Sequence, residues 1–132
     1  MTSELYWLTL AATFTALMWM PYILDRIAVR GLLPAMGNPS PDDKPQTAWA
    51  QRAMLAHKNA VENLVVFAAL VLVLHATATA TPLTATMATV FFFARLAHYA
   101  IYVAGIPVLR TLTFAVGWLA QMIIALTALG LI

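Results

Sequence analysis

Residues 52–67, RAMLAHKNAVENLVVF, join a polar half and an apolar half within one helix-length stretch. The apolar run that completes it, Leu64 to Leu74, is eleven residues long, whereas a helix needs about 20 residues to cross the hydrocarbon core of a membrane. A membrane-spanning helix here must therefore include the polar half. Because a charge at the bilayer centre costs roughly 2.5–3.5 kcal/mol, these side chains are expected to face a bundle interior, a water-filled cavity or a subunit interface.

The composition of the chain is typical of an integral membrane protein. Its 132 residues are 63% hydrophobic and 9% charged, compared with about 25% charged residues in soluble domains. Cysteine is absent, which excludes disulfides, thiolate metal ligands and a cysteine nucleophile. The three histidines lack the spacing of a zinc site, so no metal is expected. The net charge of +2 comes from few residues, and it is interpreted as a signal of membrane topology rather than of nucleic-acid binding.

Four hydrophobic segments, each long enough to span a membrane as a helix, are separated by one long and two short connections. They cover roughly residues 3–24, 50–76, 83–104 and 108–132. Residues 31–48 contain four prolines and two glycines, which predicts a solvated loop. Pro21 is expected to kink the exit end of the first helix, and Gly105 with Pro107 to make a tight turn between the last two helices.

Basic residues are concentrated on one side of the predicted spans. Arg26, Arg30, Lys44, Arg52 and Lys58 flank the first loop, and Arg110 follows the third connection. The second connection and both termini carry no Lys or Arg, so the termini are predicted to be non-cytoplasmic. The first segment is not preceded by a basic signal-peptide region and is expected to be retained. The sequence thus predicts an all-α integral membrane protein, a four-helix transmembrane bundle that forms one domain over residues 1–132 in the lipid bilayer.

The second helix carries a polar stripe. At about 100° per residue, Arg52, Asn59 and Glu62 fall within a sector about 80° wide that also contains Leu55. His57 points nearly to the opposite side of the helix and is expected at an outer or intersubunit boundary. A cation, an amide and an anion along one groove suit a zwitterionic ligand several ångströms long.

The third helix has a similar polar face, on which Arg95, His98 and Tyr102 lie within about 60° of one another. An ion pair between Arg95 and Glu62 is predicted, because it would allow both charges to lie inside the membrane. A purely structural role is the alternative, since polar groups in membrane bundles often satisfy each other and fix the packing of helices.

Four spans with a long first loop, AHKNAVEN at residues 56–63 and ARLAHYAIYVAGIPVLRTL at residues 94–112 together resemble the MAPEG family, the membrane-associated proteins in eicosanoid and glutathione metabolism. The resemblance covers roughly residues 5–130. It implies a bacterial-type homotrimer of four-helix subunits in the inner membrane. It also implies that glutathione binds as co-substrate between neighbouring subunits, near the cytoplasmic side, and reacts with a lipophilic small molecule.

The resemblance also implies roles for individual residues. It makes Arg110 the residue that activates the glutathione thiol, with Thr111 at a position where some members have serine. The residues that it implies for glutathione binding are Arg52, Asn59, Glu62, His98 and Tyr102, together with Arg26 or Arg30 as the basic group of the first helix. The expected activity is that of a glutathione-dependent transferase or peroxidase acting on lipophilic electrophiles.

The chain departs from the family pattern at Leu55, where many members carry an arginine. This departure favours the alternative of a non-catalytic trimeric member whose polar stripe is structural or binds another small anion. A small multidrug-type transporter also has four spans, but it would typically need an acid within the first helix. Glu4 and Asp25 lie instead at the two ends of that helix.

Overall fold

The computed structural model describes all of residues 1–132, which form six helices and no strand. The helices are α1 (Ser3–Leu17), α2 (Trp19–Arg30), α3 (Leu32–Met36), α4 (Ala48–Thr77), α5 (Pro82–Ala104) and α6 (Pro107–Ala128). Four helical segments are long and apolar enough to cross a membrane, namely Ser3–Arg30, Ala48–Thr77, Pro82–Ala104 and Pro107–Ala128. The prediction of a multi-pass, all-helical membrane protein with four spans is therefore confirmed.

The first span is interrupted between α1 and α2, at Met18. Pro21 explains this position, because it has no N–H to offer to the carbonyl of Leu17, four residues earlier, and its ring crowds that carbonyl. The backbone N–H of Met18 instead closes a tighter turn with Thr15, at 3.2 Å. The interruption expected from Pro21 is confirmed, although the helix resumes and continues to Arg30, beyond the predicted end at residue 24.

The first loop contains a short helix that the sequence did not predict. Gly31 ends α2 with a φ of 86°, and α3 starts at the next residue. Leu32 and Leu33 of α3 are 58% and 80% exposed. The predicted loop therefore contains a short exposed helix, which presents apolar side chains beside the end of the first span.

The start of α4 is held by a carboxylate from α2. Asp25, only 7% exposed, accepts hydrogen bonds from the backbone N–H of Thr47 at 3.2 Å, from its hydroxyl at 2.6 Å and from the side-chain amide of Gln46 at 3.0 Å. Thr47 is the N-cap residue of α4, but its own side chain caps no backbone N–H. Asp25 thus ties the first loop and the start of α4 to the first span.

The turn between α5 and α6 has the predicted form. Gly105 adopts a φ of 81° as its N–H closes the last turn of α5, and Pro107 is the first residue of α6. Arg52 of α4 packs against this turn and donates from Nε to the carbonyl oxygen of Val103 at 2.9 Å. A side chain at position 105 would meet the Arg52 guanidinium at 3.2 Å. The turn and α4 therefore fit closely only because residue 105 is glycine.

The bundle core joins α4, α5 and α6. Phe67 stacks on Phe91 with ring centroids 3.9 Å apart, and both rings are buried together with Val71 and Ile124. The contact between Phe67 and Phe91 determines which faces of α4 and α5 point into the bundle. Only 24 of the 132 residues are buried, so much of the apolar surface is left for lipid or for other copies of the chain.

Candidate functional site

Three helices bring polar side chains to a cleft of ≈ 240 Å³. Its lining consists of Asn59 from α4, His98 and Tyr102 from α5, and Arg110, Thr111 and Phe114 from α6. Five of these six residues belong to the nine predicted from the sequence. The structure therefore brings together the larger part of the predicted site within one chain, and this cleft is the candidate functional site.

Tyr102 and Arg110 form the mouth of the cleft. The turn at Gly105 returns the chain so that the Arg110 guanidinium carbon lies 4.4 Å from the centroid of the Tyr102 ring. A cation over an aromatic face is attracted by the ring quadrupole. Arg110 makes no ion pair, because the only salt bridge in the chain joins Arg30 to Asp43. The guanidinium is thus positioned by an uncharged group and keeps its positive charge available to a ligand.

The floor of the cleft is formed by His98, which is 3% exposed. Its ring packs edge-on against Tyr102 with centroids 5.5 Å apart, as expected for two residues one helical turn apart. Its Nδ1 atom is buried without a hydrogen-bond partner in the chain. Because buried polar atoms are normally satisfied, this nitrogen marks a place where water or a ligand group is expected.

Behind the cleft, Arg95 is 5% exposed and donates from Nη2 to the side-chain oxygen of Asn59. Its Nε and Nη1 atoms have no partner. The predicted ion pair between Arg95 and Glu62 is therefore wrong. Asn59 and Glu62 share a sector about 80° wide, yet only Asn59 lies on the side of α4 that reaches Arg95, whereas Glu62 is exposed.

Glu62 belongs to a second, more apolar opening of ≈ 590 Å³ on the outside of α4. The other residues that line this opening are Tyr22, Met54, Leu55, His57, Lys58 and Val61. His57 does not depend on another subunit for a hydrogen bond, since its Nδ1 atom pairs with the Tyr22 hydroxyl at 2.8 Å. Within one chain the structure does not bring Glu62 into the cleft.

The remaining predicted arginines also lie outside the cleft. Arg52 is bound at the end of α5. Arg26 and Arg30 line a separate cavity of ≈ 420 Å³ under the first loop. Arg26 donates from Nε to the side-chain oxygen of Gln46 at 3.1 Å, and Arg30 donates to the carbonyl oxygen of Lys44 at 2.8 Å.

Two residues at or near the site were not predicted as part of it. Phe114 supplies the apolar wall of the cleft. Because it lies four residues after Arg110, on the same face of the helix, helical periodicity could have predicted it as a neighbour of Arg110. Asn63 donates from its side-chain amide to the backbone oxygen of Asn59 at 2.9 Å and to its side-chain oxygen at 3.4 Å. At about 100° per residue Asn63 lies beside the face shared by Asn59 and Glu62, but this periodicity does not show that its amide turns back onto the preceding helical turn.

The cleft combines one free cation, hydroxyl and amide donors, and an apolar wall, and no acid lines it. This set of groups suits an anion that also carries an apolar or extended part. The cleft lies where α5 ends and α6 begins, and both of these helices are long and apolar enough to cross a membrane.

The sequence model of the MAPEG family matches residues 5–130, a range that includes every residue of the cleft. No curated protein has a matching sequence.

Proposed function

Because the chain belongs to the MAPEG family, we propose that it is a membrane-embedded glutathione-dependent transferase or peroxidase that acts on lipophilic electrophiles. The family comprises membrane proteins of eicosanoid and glutathione metabolism. The observation that carries the proposal is the convergence of Asn59, His98, Tyr102, Arg110 and Thr111 on one cleft. All five belong to the residues that the sequence predicts for this site.

Arg110 is the residue proposed to activate the thiol. The thiolate, not the thiol, is the nucleophile, and free thiols are mostly protonated at neutral pH. An unpaired guanidinium beside the sulfur lowers the pKa of the glutathione thiol because it stabilises the anion. Thr111, whose hydroxyl makes only a long 3.3 Å bond to the carbonyl of Pro107, is available as a further donor to the sulfur. The thiolate then forms a bond to the electrophilic atom as the leaving group departs with the bonding electrons.

Asn59, His98 and Tyr102 are proposed to hold the glutathione backbone. The cleft of ≈ 240 Å³ is smaller than the roughly 300–1,000 Å³ of typical small-molecule sites, so one chain is proposed to supply only part of the binding site. The remaining contacts, from Glu62, Arg26 and Arg30, would then come from a neighbouring subunit. Arg52 would contribute from the base of the turn that carries Arg110.

A homotrimer is proposed to complete the site. Leu55, Val65 and Leu72 of α4 are 54%, 65% and 53% exposed, and their spacing leaves an apolar stripe of the kind that packs helices against each other. Lys58 and Glu62 lie on the same side of α4 and make no ion pair within the chain. A subunit interface would remove these charges from lipid, where they are costly.

The second substrate is proposed to arrive from the bilayer. Leu112, Val116 and Leu119 form an exposed apolar stripe along α6, at 56%, 47% and 52% exposure. The stripe begins one residue after Thr111, beside the proposed position of the thiolate. We propose that the first and third connections, which lie on the cleft side, face the cytoplasm and that the termini lie outside it, in a bacterial inner membrane. The reason is that Lys and Arg are concentrated on the cleft side of the spans.

The test is isothermal titration calorimetry of the purified protein with glutathione. We expect saturable binding at millimolar concentration or below. Asn59→Ala should weaken it roughly ten-fold, since hydrogen bonds to charged groups contribute about 1.5–3 kcal/mol. Lys44→Ala, which removes an exposed cation outside the cleft, is the matched control and should bind as the wild type does. No binding of the wild type at millimolar glutathione would refute the proposed function.

A further inference from the structure

Arg95 is the only guanidinium buried in the helical bundle, and it contacts the cleft through one residue. It is 5% exposed, pairs with no carboxylate and donates from Nη2 to the side-chain oxygen of Asn59. Asn63 approaches the same oxygen with its amide nitrogen at 3.4 Å. The Asn59 oxygen therefore faces two donors behind the cleft, while the Asn59 nitrogen has no partner within the chain.

The orientation of this amide follows from the chemistry of its neighbour. An asparagine side chain can normally present either its oxygen or its NH₂ group to a given side. A guanidinium has five N–H donors and no acceptor, so the atom that meets Arg95 has to be the oxygen. The reverse orientation would place N–H groups against N–H groups of a buried cation, which is unfavourable in a low-dielectric interior.

We propose that Arg95 is a positioning residue that fixes the Asn59 amide with its NH₂ group toward the cleft, so that Asn59 recognises only ligand groups that accept hydrogen bonds. The identity of the ligand in this inference rests on the proposed function. The inference adds to that function the chemistry of one contact, the one between Asn59 and the ligand. A carboxylate, a peptide carbonyl or a thiolate of the ligand fits opposite Asn59. An ammonium group or a peptide N–H does not.

The same contact explains why a buried cation without a counter-ion is retained. Burying a cation without a counter-ion costs free energy, because no partner charge offsets the loss of hydration. Two of its nitrogens have no hydrogen-bond partner, so a contribution to the stability of the fold does not by itself explain Arg95. Its one side-chain hydrogen bond is to a cleft residue, and the orientation of that residue is what Arg95 determines.

A ligand-free experiment tests the contact itself. Asn59→Asp keeps the shape of the side chain and gives Arg95 the counter-ion that it lacks. We expect Asn59→Asp to raise the thermal unfolding temperature by a few degrees in the wild-type background. In an Arg95→Met background, where no buried cation meets the new carboxylate, it should lower that temperature. An equal shift in the two backgrounds would overturn the proposal.

A binding experiment tests the consequence for the ligand. Arg95→Met should weaken glutathione binding about two- to ten-fold, as expected for one misoriented hydrogen-bonding group. Arg95→Lys, which also offers only donors, should restore binding to within about three-fold of the wild type. In an Asn59→Ala background, Arg95→Met should have no further effect, because Arg95 acts through Asn59. An equal loss in both backgrounds would contradict the positioning role.

The two experiments separate this inference from the function on which it rests. If the wild type binds no glutathione, the proposed function fails, whereas the unfolding temperatures of Asn59→Asp in the two backgrounds still decide whether Arg95 orients Asn59. If glutathione binds but the effects of Arg95→Met and Asn59→Ala are additive, the function stands and the orienting role of Arg95 is refuted.

Discussion

At the scale of single residues, the site depends on how an unpaired cation is kept in place. The Arg110 guanidinium has no carboxylate partner and lies 4.4 Å from the centroid of the Tyr102 ring. An acid at this position would hold the arginine more strongly, but it would also neutralise the charge that a ligand anion needs. The aromatic face fixes the guanidinium without that loss.

The role of the Tyr102 ring can be separated from that of its hydroxyl. Tyr102→Phe keeps the ring beneath Arg110, so the rate of glutathione conjugation to a chlorodinitrobenzene electrophile, measured at saturating glutathione, should stay within about two-fold of the wild type. Tyr102→Ala removes a cation–π contact of about 1 kcal/mol and should lower the conjugation rate roughly five-fold. Equal losses in the two variants would instead assign the effect to the hydroxyl.

Helical periodicity predicted which residues share a face, but not which pairs meet. Helical periodicity grouped Asn59 with Glu62 on one face of α4, and Glu62 was predicted to pair with Arg95. The structure selects Asn59, because the contact depends on the rotation and the axial offset of α4 relative to α5. Those quantities are set by core packing, including the stacking of Phe67 on Phe91, and a single-helix pattern contains no information about them.

At the scale of secondary-structure elements, the start of α4 depends on a residue of another helix. Asp25 accepts two hydrogen bonds from Thr47, 22 residues later in the chain, and one from Gln46. A carboxylate near a helix N-terminus is favoured because it satisfies free N–H groups and complements the helix dipole. The end of the first loop and the start of α4 are thereby held against α2, which fixes the position of α4 in the bundle.

Loss of this cap should therefore be costly. Asp25→Ala is expected to lower the free energy of unfolding by about 1–2 kcal/mol, the usual range for removal of an N-cap group, as measured by thermal or denaturant unfolding in detergent. Asp42 is an exposed acid of the first loop whose carboxylate makes no hydrogen bond, so Asp42→Ala should change stability little. Similar stability of the two variants would contradict the capping role.

The breaks and turns between helices could be predicted where the residues that cause them lie in the same short stretch of sequence. Pro21 predicted the interruption of the first span, and Gly105 with Pro107 predicted the turn between α5 and α6. The Asp25 cap was not predictable, because it joins residues on either side of a loop with no periodic pattern. The helix α3 was missed because its proline, Pro34, and the flanking Gly31 and Gly37 suggested only a loop.

At the scale of the whole molecule, the exposed stripe on α4 predicts self-association. Native mass spectrometry in detergent should detect three copies of the 14.4-kDa chain. Val65→Trp, on the stripe, should reduce the trimer because tightly packed helices cannot accommodate the added volume. Leu119→Trp, at an exposed position of α6 that we assign to lipid, should leave it intact. A monomer, or equal effects of the two variants, would contradict the assigned interface.

The orientation of the chain is testable because it has no native cysteine. Single substitutions Ser3→Cys and Asp42→Cys place a thiol at the N-terminus and in the first loop, respectively. In spheroplasts, a membrane-impermeant maleimide should label Ser3→Cys directly and Asp42→Cys only after permeabilisation. The reverse pattern would contradict the orientation inferred from the positive charges.

The central claim is that Arg110 stabilises a glutathione thiolate in the cleft, and the ultraviolet thiolate absorbance of the protein saturated with glutathione tests it most directly. The wild type should show the thiolate band at neutral pH. Arg110→Ala should lose the band while it retains most of its affinity for glutathione by calorimetry. A thiolate band of undiminished intensity in Arg110→Ala, at equal occupancy, would contradict the account.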